Sequence, residues 1–310
     1  MVKYGLLLLA AVSTMGCSIK SMAINTIGET FAEGSNVFAS DEDPELVRDA
    51  LPFTLKMFEM LLESSPENRG MLLQACSTFS QYAVAFVAAD AEVAELADYD
   101  YSAADVHKTR ARRMNVRARN YCLRRIELDY PGLTSRLQEA PETAVSELGV
   151  EDVETVYWLG GSWAMAISLG LGEPALVADI PVVNALMARA LELDEDFNRG
   201  ALHTAFITLE SLPEVLGGSQ ERARAHFRRA VELSEGLDAS PYLSLATGVS
   251  LANQDRAEFE SLLESALAVD PDDEGSIRLA NVLSRRRATL LLDHADELFE
   301  EPLEEVEDER

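Results

Sequence analysis

Ala190-Leu-Glu-Leu-Asp-Glu-Asp-Phe197 closes one apolar-periodic run and opens the next. The ending returns as Ala230-Val-Glu-Leu-Ser234 and as Ala266-Leu-Ala-Val-Asp-Pro271. Earlier versions read Leu61-Leu-Glu-Ser-Ser-Pro66 and Ile126-Glu-Leu-Asp-Tyr-Pro131. Each has the apolar spacing of a last helical turn, then an acidic or proline break that stops the helix. Asp194 and Ser234 stand 40 residues apart, Ser234 and Asp270 36, while Ser64, Asp129 and Asp194 are 65 apart. These spacings lie near one or two lengths of the tetratricopeptide (TPR) repeat, about 34 residues. The expectation is an all-α fold, a TPR-like stack of antiparallel helical hairpins forming an α-α superhelix. Each hairpin buries its apolar face against its neighbours, and the stack leaves a concave surface. An ordinary helical bundle with stereotyped helix ends is the alternative.

Upstream, Asp43-Pro44-Glu45 is a helix start: Asp caps, Pro takes the first position, and Glu favours the positive end. Leu46, Ala50, Phe53, Met57 and Leu61 then share one helical face. Ser65-Pro66 stops this helix, and Asn68 opens another running to about Ala88 with Leu72, Phe79, Tyr82 and Phe86 on its face. The acidic stretch from Asp90 to Asp105 reads as a loop. No convincing β-alternation occurs.

The N-terminus carries a different signal. Lys3 precedes the short apolar run Gly5 to Val12, and small residues lead to Gly16-Cys17. This is the layout of a secretory signal. Its end resembles a bacterial lipobox, although Thr14 and Met15 depart from the usual pattern. The organisation expected is a lipoprotein signal peptide over 1–16, a lipidated tether over 17–25 with the lipid on Cys17, a TPR-like helical domain over 26–299, and an acidic tail over 300–310. A plain signal peptide with an incidental cysteine is the alternative. The protein is expected in the periplasm, lipid-anchored to a bacterial membrane, the outer membrane slightly favoured because Ser18 follows the cysteine.

Composition excludes some partners. With 54 acids against 26 Lys and Arg, the net charge is −28. Such a surface repels nucleic acid and anionic lipid. At 47% hydrophobic, the chain can bury a real core. No apolar run is seen to reach the ~20 residues of a spanning helix, so nothing is expected to cross the bilayer in the mature form.

Catalytic chemistry has no visible home, so the protein is expected not to be an enzyme and to need no cofactor or metal. His107, His203, His226 and His294 have no metal-ligand spacing, and Cys76 and Cys122 have none either. The two cysteines read as buried small hydrophobes. They could form a disulfide in an oxidising compartment, but sequence leaves their proximity open. Gly160-Gly-Ser-Trp-Ala164 imitates a nucleophile elbow, lacks its last glycine and follows no strand. Its small residues are better read as letting two helices approach.

Two groups could bind. Eight bases crowd residues 108–125, and Arg110, Arg113, Arg117 and Arg124 share one helical face. They could hold a carboxylate ligand or an acidic partner, since Arg forks match carboxylates. Pairing with the protein's own acids is the favoured reading. Both tryptophans fall within six residues, as Tyr157-Trp158 and Trp163. Together with Phe53, Tyr82, Phe86 and Phe206 they are candidates to line a ligand pocket or pore between helices. Burial in the core is the commoner fate of such stripes.

Several segments resemble the TatT family, the TPR-like lipoprotein subunits of a class of TRAP (tripartite ATP-independent periplasmic) transporters. They include Gly34 to Phe53, Tyr157-Trp158 with Trp163, Asp179 to Met187, Ala190 to Phe197, Gly217 to Ala223, Asp255 to Leu263 and Arg278 to Asn281. The resemblance runs from about Phe31 to Phe299. It implies a periplasmic homotrimer that docks a solute-binding protein and passes a small hydrophobic or organic-acid ligand through a pore. It carries no residue-level binding motif. The rival function is a general periplasmic TPR scaffold binding peptides or envelope-assembly partners.

Overall fold

A computed structural model describes residues 35–300. The expected signal peptide, Cys17 with its tether, and residues 301–310 of the tail lie outside the described residues. Among the described residues every regular element is helical and no strand occurs.

The main helices are α1 (Pro44–Ser64), α2 (Arg69–Tyr82), α3 (Ala89–Leu96), α4 (Tyr101–Glu127), α5 (Leu133–Glu139), α6 (Val153–Ser168), α7 (Ile180–Leu193), α8 (Ala201–Glu210), α9 (Gln220–Leu233), α10 (Ser240–Leu245), α11 (Arg256–Ala268) and α12 (Arg278–Asp293). Helices adjacent in sequence pair repeatedly: α1 with α2, α6 with α7, α8 with α9 and α11 with α12. This pairing is consistent with stacked hairpins. The expected caps form as well. Asp43 accepts from the Glu45 and Leu46 amides at 3.1 and 3.0 Å, and Asn68 accepts from Met71 N at 2.8 Å.

The region read as one helical domain groups into two compact units. The first takes the described chain up to Ala88 together with Asp105–Asp194; the second takes Ala89–Ala104 and the chain from Glu195 onward.

In the first unit Phe58 and Leu62 of α1 pack on Met71, Leu72 and Ala75 of α2, with Tyr121 against them. A disulfide joins Cys76 of α2 to Cys122 of α4. The buried pair Ser80 and Asn115 is hydrogen-bonded at 3.1 Å, and Asn115 also donates to Ala111 O. Gly160 sets the approach of α6 to α7, because a Cβ there would lie 2.4 Å from Met187 Sδ. The glycine-rich stretch is thus a close helix contact, and Gly161 next to it faces open space.

The second unit centres on Phe259, Leu263, Val249 and Leu291. Buried Asn281 bridges a turn, accepting from Ala239 N at 3.0 Å and donating to Leu237 O at 2.8 Å. Arg224 clasps Glu258, which also accepts from Ser250 at 2.7 Å.

Three expectations change. The α1 face through Leu46 and Phe53 points outward: Leu46, Phe53 and Met60 are 60%, 68% and 57% exposed. The buried face runs beside it through Val47, Leu51, Leu55, Phe58 and Leu62. The helix is apolar on two sides, and periodicity could not choose between them. Residues 90–105 are mostly helix, not loop. A break spans only 97–100, where Asp100 restarts the helix by accepting from Ala103 N at 2.9 Å. Finally, the helical run Arg69–Leu96 is long and apolar enough to cross a membrane by length and composition. Most of it is packed inside the protein, and Met71, Leu72, Ala75, Cys76 and Phe79 are fully covered, as in the core helix of a globular domain.

Candidate functional site

The aromatic candidates separate into distinct places. Trp163 is interior, at 2% exposure. Its indole Nε1 donates to Asp179 Oδ2 at 3.1 Å, satisfying the one polar atom of a buried ring. The Arg119 guanidinium lies over the ring, 4.8 Å from its centroid, and 4.0 Å from the same carboxylate. Burial lowers the Arg119 pKa, and Asp179 opposes that shift. Tyr82 and Phe86 are also buried, their rings 5.5 Å apart at the end of α2. Phe53 stands in solvent on α1 and makes no ring contact among the described residues. Phe206 belongs to the second unit, where it stacks on His226 with centroids 4.8 Å apart.

Tyr157 and Trp158 are only partly buried. Their rings meet edge-on at 5.0 Å. Glu154 lies one turn earlier on the same side of α6 and Gly161 one turn later. The Glu154 side chain is open to water, yet the protein around it raises its carboxyl pKa by burial. With the open space over Gly161, this side of α6 offers an aromatic edge, an uncovered floor and a carboxyl held toward its neutral form. Such a surface suits an amphipathic guest. Glu154 was passed over in the sequence. The signal that could have found it is its i, i+3 and i, i+4 spacing to Tyr157 and Trp158.

The basic cluster on α4 divides by depth. Arg112, Arg119 and Arg125 are partly buried and meet Glu173, Asp179 and Asp129. Arg110, Arg113, Arg117 and Arg124 are exposed together. Among the described residues only Arg117 of these meets a carboxylate, that of Glu59. Arg124 donates to Pro66 O at 2.9 Å, Arg110 lies over the Tyr82 ring at 6.0 Å, and Arg113 has no partner among the described residues. Internal pairing therefore accounts for the flank of the helix better than for its exposed ridge.

A histidine pair occupies the second unit. His203 Nδ1 and His226 Nδ1 are 2.8 Å apart, so one donates to the other, and His203 Nε2 faces Glu195 Oε1 at 3.2 Å. Burial lowers both histidine pKa values. Among the described residues no group of three or more His, Cys, Asp or Glu is arranged to hold a metal ion.

Comparison with known proteins bears on the whole chain. An uncharacterized protein from Treponema pallidum (strain Nichols) is 28% identical over 303 residues, which span 92% of this chain and 93% of that protein. A family model described as "TRAP transporter T-component" matches residues 40–299, which reach into both units and include every candidate above except Cys17. The match covers well over half of the chain, and the chain belongs to the TRAP transporter T-component family.

Proposed function

We propose that this protein is a lipid-anchored periplasmic T-component that docks a solute-binding protein and passes a small hydrophobic or organic-acid ligand along the open face of α6. The carrying observation is the family match over 40–299. The Cys76–Cys122 bridge supports an oxidising compartment. Cys17 anchors the chain through its lipid, the outer membrane being the favoured surface. Three copies assemble, as the resemblance implies. The protein's part is binding and positioning, without catalysis.

On this reading Tyr157, Trp158 and Glu154 meet the ligand, while Trp163 braces α6 from inside through Asp179 and Arg119. Acrylamide should quench Trp158 and spare Trp163, with Trp158→Phe and Trp163→Phe assigning the signals. A fatty or aromatic acid that binds should alter Trp158 emission. Emission indifferent to every such acid sinks the ligand assignment. Docking is tested separately by crosslinking in the native envelope. Recovery of a solute-binding protein supports the assignment, and recovery of envelope-assembly proteins alone overturns it. Membrane attachment that persists in Cys17→Ala would falsify the lipid anchor.

A further inference from the structure

Between Asp105 and Glu127 helix α4 carries no acidic residue, in a chain with 54 of them. The ridge of Arg110, Arg113, Arg117 and Arg124 therefore has no i, i+4 partner of opposite sign on its own helix. Its neighbours are instead like charges: Arg110 and Arg113 at i+3, Arg113 and Arg117 at i+4. Such pairs destabilise a helix. One or two acids on α4 would relieve them, and acids are the protein's commonest charge. The flank arginines show that pairing is available, since Glu173, Asp179 and Asp129 neutralise them.

The ridge is also held in shape. Arg110 lies 6.0 Å from the Tyr82 centroid, Arg117 4.6 Å from Phe79 and Arg124 5.6 Å from Tyr121. A guanidinium over a ring keeps its in-plane N–H donors for other acceptors and loses little freedom when it binds. These three arginines recur every seven residues, about 10.5 Å along the helix axis. Two helical turns on a facing helix repeat at the same distance. The charge of −28 repels an acidic molecule from the protein as a whole, so the ridge fixes where and how such a molecule can land.

We propose that the exposed arginine ridge of α4 is the docking surface for a carboxylate-rich helical segment of a partner protein. The partner carries acids at successive turns of one face and binds through charge-assisted pairs to Arg110 and Arg113, with Arg117 and Arg124 setting its register. Arg117 exchanges or shares Glu59 when the partner arrives. The proposal stands apart from the transporter assignment, because its test requires no transporter component.

The probe is a labelled synthetic helical peptide with Glu at i, i+3 and i+7 of one face, titrated into the full chain by fluorescence anisotropy. Saturable binding is expected. It should weaken at least about tenfold in Arg110→Glu/Arg113→Glu and less in Arg110→Gln/Arg113→Gln. It should also weaken as salt rises from about 50 to 300 mM. Arg228→Glu makes the same kind of charge change at an exposed arginine of α9 and should leave affinity near wild type. All variants should keep the wild-type circular dichroism, and the Glu pair on α4 should melt no earlier than wild type because it relieves the like-charge ridge. Absence of saturable binding, or equal loss in Arg228→Glu, overturns the proposal. So does ridge-dependent capture of anionic vesicles or single-stranded DNA without capture of the peptide.

Discussion

The two units are fastened by different chemistry. The first is stapled by the Cys76–Cys122 bridge and braced by arginines lying on rings, among them Arg117 on Phe79 and Arg119 on Trp163. The second has no cysteine in its sequence. It relies on groups that gain or lose protons: the His203–His226 pair, Glu195 between His203 and Arg229, and Glu258 between Arg224 and Ser250. One unit should therefore answer to redox conditions and the other to acidity. Both tryptophans sit in the first unit. Tryptophan emission reports that unit alone, while far-ultraviolet circular dichroism reports both.

The sharpest way to break this contrast is to remove the bridge. Cys76→Ser/Cys122→Ser opens a crosslink between residues 46 apart. We expect a loss of about 3 kcal/mol, read as an earlier denaturant midpoint in tryptophan emission, with a later transition kept in circular dichroism. A shared shift of both signals would show that the units unfold together and dissolve the distinction.

Next in size is Gly160→Val. Its branched side chain would collide with Met187, which is itself buried and cannot swing aside. Overpacking of this kind costs roughly 1–3 kcal/mol, again visible first in tryptophan emission. A neutral result would mean that α6 and α7 are looser than the structure describes.

Acidity should separate the units in the opposite sense. Burial holds His203 and His226 below their ordinary value of 6.5. Around His203, Glu195 and Asp196 oppose the shift and Arg229 adds to it. Around His226, His203 and Arg222 lower the pKa and Glu210 raises it. A base whose pKa is lowered stays neutral when folded and takes up protons once unfolded. Its stabilisation is therefore full above pH 6.5 and is lost as pH falls below it. Glu195 and Glu258, held below 4.5 chiefly by Arg229 and Arg224, add a loss in more acid solution. The circular dichroism midpoint of the second unit should thus fall between about pH 7 and 5.5, and His203→Gln/His226→Gln should flatten that slope. An unchanged slope in the double variant would clear the pair of any part. The smallest effect belongs to Gly161→Ala, where a new methyl meets open space. Stability should rise by about 0.5–1 kcal/mol, the ordinary gain for Gly→Ala at an open helix-interior position, while any ligand response of Trp158 should change.

Helix ends were the legible part of the fold. Asp43-Pro44, Asn68 and the acidic stops at Asp194 and Asp270 act through their own few residues, so local sequence carries them. What sequence hid depended on distance. Cys76 and Cys122 could be called compatible with a bridge, never adjacent. The ridge and flank arginines of α4 looked alike because Glu173 and Asp179 lie some way along the chain. α1 was legible as a helix but not as to its side, since Leu46, Phe53 and Met60 match the buried face in composition. At the candidate site Tyr157 and Trp158 were visible as aromatics. Trp163 looked equivalent to Trp158, and only the packing of α6 on its neighbours sends one ring inward and leaves the other at the surface.

The helix from Arg69 to Leu96 contains a wider turn at Ala83–Ala88, where the backbone ladder is that of a π-helix. Before this turn the run belongs to the first unit and after it to the second. A π-turn accommodates one extra residue, and each residue of an α-helix advances the face by about 100°. Ala91 and Ala94 are buried in their present phase. In the language of genes, the segment holds a spare codon: deleting one residue within 83–88 should tighten the wide turn to an ordinary α-turn and keep Ala91 and Ala94 in phase, whereas a deletion within Arg69–Tyr82, where no turn holds a residue in reserve, would rotate everything after it by about 100°.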